Sequence, residues 1–287
     1  MIRVLVTILG ALWLASCGAP ADSARDWPEP SPALWEVTAP GGQKGWLFGT
    51  IHSLPDDVEW RSPLLNDALA QSNILLVEAT ADDLASASSV FDQLSRSNDL
   101  PSLLIRFDPD ERAVVSALLD RAGMSESDFA HYETWGAALL LASAIRTGDS
   151  ANGTDRSLMA EHDNVFALEG ARTQLGIFNA LPEEEQEDLL LAVARETAAG
   201  RDEASVDAWL SGDQEAMAAL AQDSLLADPE LRAALLDARN LAWIEPIARA
   251  IEAGEQPLVA VGASHMLGDR GLPALLAARG YAVRRIQ

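Results

Sequence analysis

Two apolar runs at opposite ends of the chain finish in the same way. Gly45-Trp46-Leu47-Phe48-Gly49-Thr50-Ile51-His52 and Leu258-Val259-Ala260-Val261-Gly262-Ala263-Ser264-His265 each carry strand-length hydrophobic sequence into a Gly-x-x-His. Continuous apolar residues are what a strand needs when helices cover both of its faces, as in a parallel sheet. Each histidine is followed by a polar loop, a short helical pattern and another apolar strand. The chain has 4 histidines, and this pair accounts for half of them. The repeat constrains the chain to an α/β fold and marks its strand ends as the place to look for chemistry.

The rest of the chain is consistent with that frame. Leu34-Trp35-Glu36-Val37-Thr38 alternates like a strand, and turn residues at 39–44 lead into the strand at 45–50, which makes an N-terminal β-hairpin. Ser62 caps a helix that Pro63 opens, and Asn73-Ile74-Leu75-Leu76-Val77 is the next apolar run, ending at Glu78. Residues 82–146 read as a large helical insertion, punctuated by Asp108-Pro109 and Gly123. Thr154 and Asp155 start a short helix, and a strand at 164–168 ends at Glu169. Helical pattern then dominates to about 251, followed by the strand at 258–261, a helix at 271–279 and a closing strand at 281–286. The expected architecture is α/β, a mixed and mostly parallel central sheet with an N-terminal hairpin and a helical insertion, over residues 33–287.

The first residues have a different purpose. Arg3, an apolar run at 4–14 and Leu14-Ala15-Ser16-Cys17 resemble the lipobox of a bacterial lipoprotein, with 1–16 as the signal peptide. Cys17, the only cysteine, is then the lipid attachment point, and residues 17–32 form a flexible tether. This places the protein in the cell envelope, anchored on the periplasmic side, at the outer membrane. A formal charge of −24 excludes nucleic-acid binding, which needs clustered Lys and Arg.

Four apolar strands end in a polar group: 45–50 at His52, 74–77 at Glu78, 165–168 at Glu169 and 258–261 at His265. As parallel neighbours they would gather two imidazoles and two carboxylates on one edge. Such a donor set suits Mn, Co, Fe, Ni or Zn and hydrolytic chemistry. Glu169 serves as a fourth ligand, as general base or as an orienting group for a histidine. Thr50 is placed to donate a hydrogen bond near the site. Arg239 is an anion clamp for substrate if it faces the pocket, and a surface ion pair otherwise. His131 and His162 sit at helix ends, where packing and the helix dipole account for them, and Asp155 and Glu183-Glu184-Glu185 read as helix-start residues. No His-Glu-x-x-His, Gly-x-Ser-x-Gly, phosphate loop or Cys-x-x-Cys occurs.

Taken together, Leu34-Trp35-Glu36-Val37, Phe48-Gly49-Thr50-Ile51-His52, Val77-Glu78, Gly153-x-Asp155, Leu168-Glu169, Arg239-Asn240 and the block at 261–268 resemble the TraB/GumN family (TraB/PrgY/GumN). That family is similar to the Tiki metalloproteases and, more distantly, to erythromycin esterases and a haem-binding lipoprotein. The resemblance implies an α/β fold with a helical insertion and a divalent metal (Mn, Co or Zn) held by His52, Glu78 and His265. It leads to the expectation of a metal-dependent hydrolase of peptides or small molecules. The alternative is a lipoprotein that binds haem, metal or peptide without cleaving it.

Overall fold

The computed structural model describes residues 25–56, 58–145, 150–195 and 198–287. The signal peptide, Cys17 and the first part of the tether lie outside the described residues, as does Arg146 at the end of the expected insertion. The strands are β1 (Leu34–Thr38), β2 (Lys44–Thr50), β3 (Ile74–Val77), β4 (Val165–Ala167), β5 (Pro257–Gly262) and β6 (Ala282–Arg285). They form one sheet in the order β4-β3-β5-β2-β1-β6. β1 and β2 make the antiparallel hairpin, and β6 pairs antiparallel with β1. β2, β5, β3 and β4 are parallel neighbours, as the strand-end argument requires. All four therefore finish at the same edge.

The continuous apolar runs are explained by burial on both faces. Leu47, Leu76, Val259 and Val261 point to one side, against Ile244, Ile247 and Leu276. Trp46, Phe48, Leu75, Leu258 and Ala260 point to the other, against Leu65, Leu158 and Trp209. In chain order the helices supplying these layers begin with α1 (Pro63–Gln71), α2 (Ala81–Ser95), α3 (Arg112–Ala122), α4 (Thr134–Ile145), α5 (Thr154–Glu161) and α6 (Ala171–Asn179). They continue with α7 (Glu183–Arg195), α8 (Ala198–Leu210), α9 (Gln214–Gln222), α10 (Pro229–Arg232), α11 (Ala238–Glu252) and α12 (Leu272–Ala278). Ser62 accepts from Leu65 N at 3.1 Å, so α1 starts where the Ser-Pro signal places it.

The insertion is three helices, α2, α3 and α4, separated by 3₁₀ turns at Leu103–Arg106 and Glu126–Phe129, with breaks near the expected Asp108-Pro109 and Gly123. Together with α6 and α7 they enclose a second core around Phe91, Phe107, Leu118, Trp135 and Leu190. β4 departs from expectation. It is a three-residue edge strand with Phe166 53% exposed, since no element among the described residues pairs beyond it. Nor is the tether loose along its whole length. Arg25 pairs with Glu203, and Ser31 N donates to Leu210 O at 2.7 Å, so residues 25–32 lie along α8. Among the described residues no helix is long and apolar enough to cross a membrane.

Candidate functional site at the carboxyl edge of the sheet

The two Gly-x-x-His motifs are built for close approach. β2 and β5 pair Thr50 with Gly262, so both motifs leave the sheet side by side. A 3₁₀ turn, Ala263–Met266, then folds across the end of β2. A Cβ on Gly49 would stand 2.9 Å from Ala263 Cα, which only glycine avoids. A Cβ on Gly262 would fill the centre of the site, 3.2 Å from Glu78 Oε1, 3.7 Å from His265 Cδ2 and 3.7 Å from His52 Nε2. Trp209 Nε1 donates to Gly49 O at 2.7 Å and fixes the strand end from α8.

His265 is buried and oriented from α11. Its Nδ1 lies 2.6 Å from Asn240 Oδ1, while Asn240 Nδ2 donates to Arg270 O at 2.8 Å. With the amide so directed, Nδ1 carries the proton and Nε2 is the acceptor, 3.3 Å from Arg239 Nη1 and 3.9 Å from Glu78 Oε1. Burial pushes the imidazole down to about 3 against the pull of Glu78, so the ring is neutral. His52 is the outward partner, with Nδ1 3.3 Å from Asp155 Oδ2. The first residue of α5 fixes the backbone there, as Thr154 N donates to Ile51 O at 2.9 Å and Ile51 N to Thr154 Oγ1 at 3.1 Å.

Glu78 receives Gly262 N at 2.8 Å on Oε1 and Arg239 Nη2 at 2.5 Å on Oε2. Burial alone would raise its carboxyl, but Arg239, the two histidines and the Gly262 N–H outweigh it and hold it down at about 2. Glu169 is reached by the same guanidinium, Nη2 to Oε1 at 2.5 Å and Nε at 3.0 and 3.2 Å. Here burial prevails over Arg239, and the Glu169 carboxyl is pushed up. Arg239 is therefore no surface ion pair. It lies inside the site, 4.7 Å above the Trp243 ring, with Nη1 donating to Leu235 O and 3.3 Å from His265 Nε2. A π-helical turn, Ala233–Asp237, joins α10 to α11 just before it.

Thus His52, Glu78, Glu169, His265, Arg239 and Thr50 all reach one edge, whereas His131 and His162 lie elsewhere, the latter closing α5 against Ser72. Asp155, read as a helix-start residue, also faces His52. Asn240, which carries the family resemblance together with Arg239 but has no role from sequence alone, is the group that orients His265. The donor chemistry fits a divalent cation, since both histidines hold Nδ1 at an oxygen and turn toward Glu78 around the cradle at Gly262. Their ligating atoms do not all lie within 4.8 Å of one another. Among the described residues, three such atoms come that close only at Glu185, Asp188 and Asp228, a half-buried acidic group on α7 and at the start of α10.

The fold and this edge define an α/β protein with histidine and glutamate converging beyond parallel strands. The chain belongs to the TraB/PrgY/gumN family, whose profile matches residues 33–285. It is similar to YbaP of Shigella flexneri and to YbaP of Escherichia coli (strain K12). Each is 27% identical over 258 residues, spanning 85% of this chain and 92% of the relative. No solved structure matches the chain.

Proposed function

We propose that the protein is a divalent-metal-dependent hydrolase of peptide bonds, held on the cell envelope by a lipid at Cys17. One observation carries the reading: two histidines from neighbouring parallel strands, each with Nδ1 at an oxygen from another element, face Glu78 across the Gly262 cradle. A cation held by His52, Glu78 and His265 would polarise a carbonyl and lower the pKa of water. Hydrolysis adds the water oxygen to the carbonyl carbon, breaks the C–N bond and returns a proton to the amine. Glu169, with its carboxyl pushed up by burial, is assigned to carry that proton, and Arg239 holds it in place. Thr50 is left to bind substrate.

One feature favours a second reading, a lipoprotein that binds haem, metal or peptide without cleaving it. Arg239 already neutralises both carboxylates. A peptide library incubated with chelator-stripped full-length protein, then with Mn, Co or Zn, separates the two. Cleavage restored by a metal in wild type and absent in Glu78→Gln and His265→Ala is the expected result. Metal binding with no cleavage by a folded wild type would favour the binding lipoprotein.

A further inference from the structure

A cavity of about 210 Å³ opens beside His52 and Glu78, between the sheet edge and the helical insertion. Its inner wall is apolar: Leu84 from α2, Leu139 from α4, Leu175 and Phe178 from α6. At its sheet end lies Thr50, 2% exposed, whose Oγ1 has no hydrogen-bond partner. A buried hydroxyl is ordinarily satisfied, and one left open beside a cavity is a group kept for something that enters. An apolar cavity of about 150 Å³ takes a benzene, so this one is the size of a single leucine or phenylalanine side chain.

We propose that this cavity selects a large apolar side chain next to the bond to be cleaved, with Thr50 donating to the peptide carbonyl of that residue. The proposal rests on the hydrolase reading and deepens it by naming the substrate class: peptides with a leucine- or phenylalanine-sized residue at the cleavage point. The rest of the lining is polar or charged, with His52, Glu78, Asp155, Arg156 and Gln174, so selection for an apolar side chain belongs to the inner wall alone.

The test uses acetyl-Ala-X-Ala-amide peptides, X being Gly, Leu, Phe, Asp or Lys, titrated into the full chain and followed by NMR shifts. Burying the side chain favours Leu and Phe over Gly by about tenfold or more. Leu139→Trp fills the cavity and removes that preference, and Leu84→Phe does the same from α2 should the first variant not fold. Thr50→Val keeps the shape and weakens binding by about threefold to tenfold, the loss of one hydrogen bond. Equal binding of Gly and Leu, or a preference that survives a folded filling variant, overturns the pocket. The hydrolase reading fails separately: Leu-selective binding without cleavage under any metal leaves the pocket standing and removes the enzyme. Cleavage with no apolar preference does the reverse.

Discussion

Asn240 decides which nitrogen of His265 meets the site, because its oxygen takes the ring N–H while its amide nitrogen is held by Arg270 O. Replacing it by leucine leaves the buried imidazole proton unpaired. The cost is about 1–3 kcal/mol, measurable as a lower urea midpoint. Arg239 carries a larger share. Its loss strands Glu78 and Glu169 with side chains 11% and 6% exposed. Arg239→Met is expected to destabilise by about 3–5 kcal/mol, and Arg239→Lys to recover little, since lysine lacks the fork that reaches two carboxylates. Combining Arg239→Met with Glu169→Gln should cost less than the sum of the two single changes, because one of the stranded charges is gone. Additive costs would mean that the pair is not coupled as described.

At the scale of elements, the glycines of the two motifs do different work. Gly49 makes room for the 3₁₀ turn, so Gly49→Ala presses a methyl on backbone and should cost about 1–3 kcal/mol. Gly262→Ala instead places its methyl among Glu78 and the two histidines, and is expected to abolish metal binding while shifting the melting temperature far less. β2, β3 and β5 and their terminal residues were legible because burial on two faces writes an unbroken apolar run, and each run stops at a polar residue. The hairpin was legible from its turn. What sits around those ends was not. Arg239 meets Glu78 across 161 positions of sequence and Asp155 on α5 meets His52 in the loop after β2, contacts that periodicity cannot encode. β4 was legible as an apolar strand ending at Glu169, but not as the sheet edge with Phe166 exposed, because strand order is not written in local composition. The Thr80 capping box, Thr80 N to Asp83 Oδ2 at 2.9 Å, starts α2 three residues after β3 and helps set Glu78 at the edge.

Over the whole molecule, the acidity gathers locally as well as globally. Glu185 and Asp188 on α7 approach Asp228, and burial together with mutual repulsion raises the carboxyls of Glu185 and Asp188. A raised folded-state carboxyl destabilises when ionised, so this corner gains stability as pH falls through the raised values toward the ordinary carboxylate range. Asp188→Asn should therefore raise stability by about 0.5 kcal/mol at neutral pH, a gain that disappears near pH ~4. Urea unfolding of both proteins at the two pH values checks this, and an equal difference at both would contradict it. At the other end, Cys17→Ser is expected to release the full-length chain from membranes and to abolish labelling by a radioactive fatty acid. Labelling that persists would refute the anchor.

The central claim is that His52, Glu78 and His265 hold one divalent cation. It is tested most directly by melting the chelator-stripped full chain in the presence of Mn, Co or Zn, wild type beside His52→Ala and His265→Ala. An ion at a hundred times its dissociation constant stabilises the folded state by about 2.7 kcal/mol. The account predicts that rise for wild type and its loss in both variants. A folded wild type that no metal stabilises, or variants stabilised as much as wild type, would contradict it.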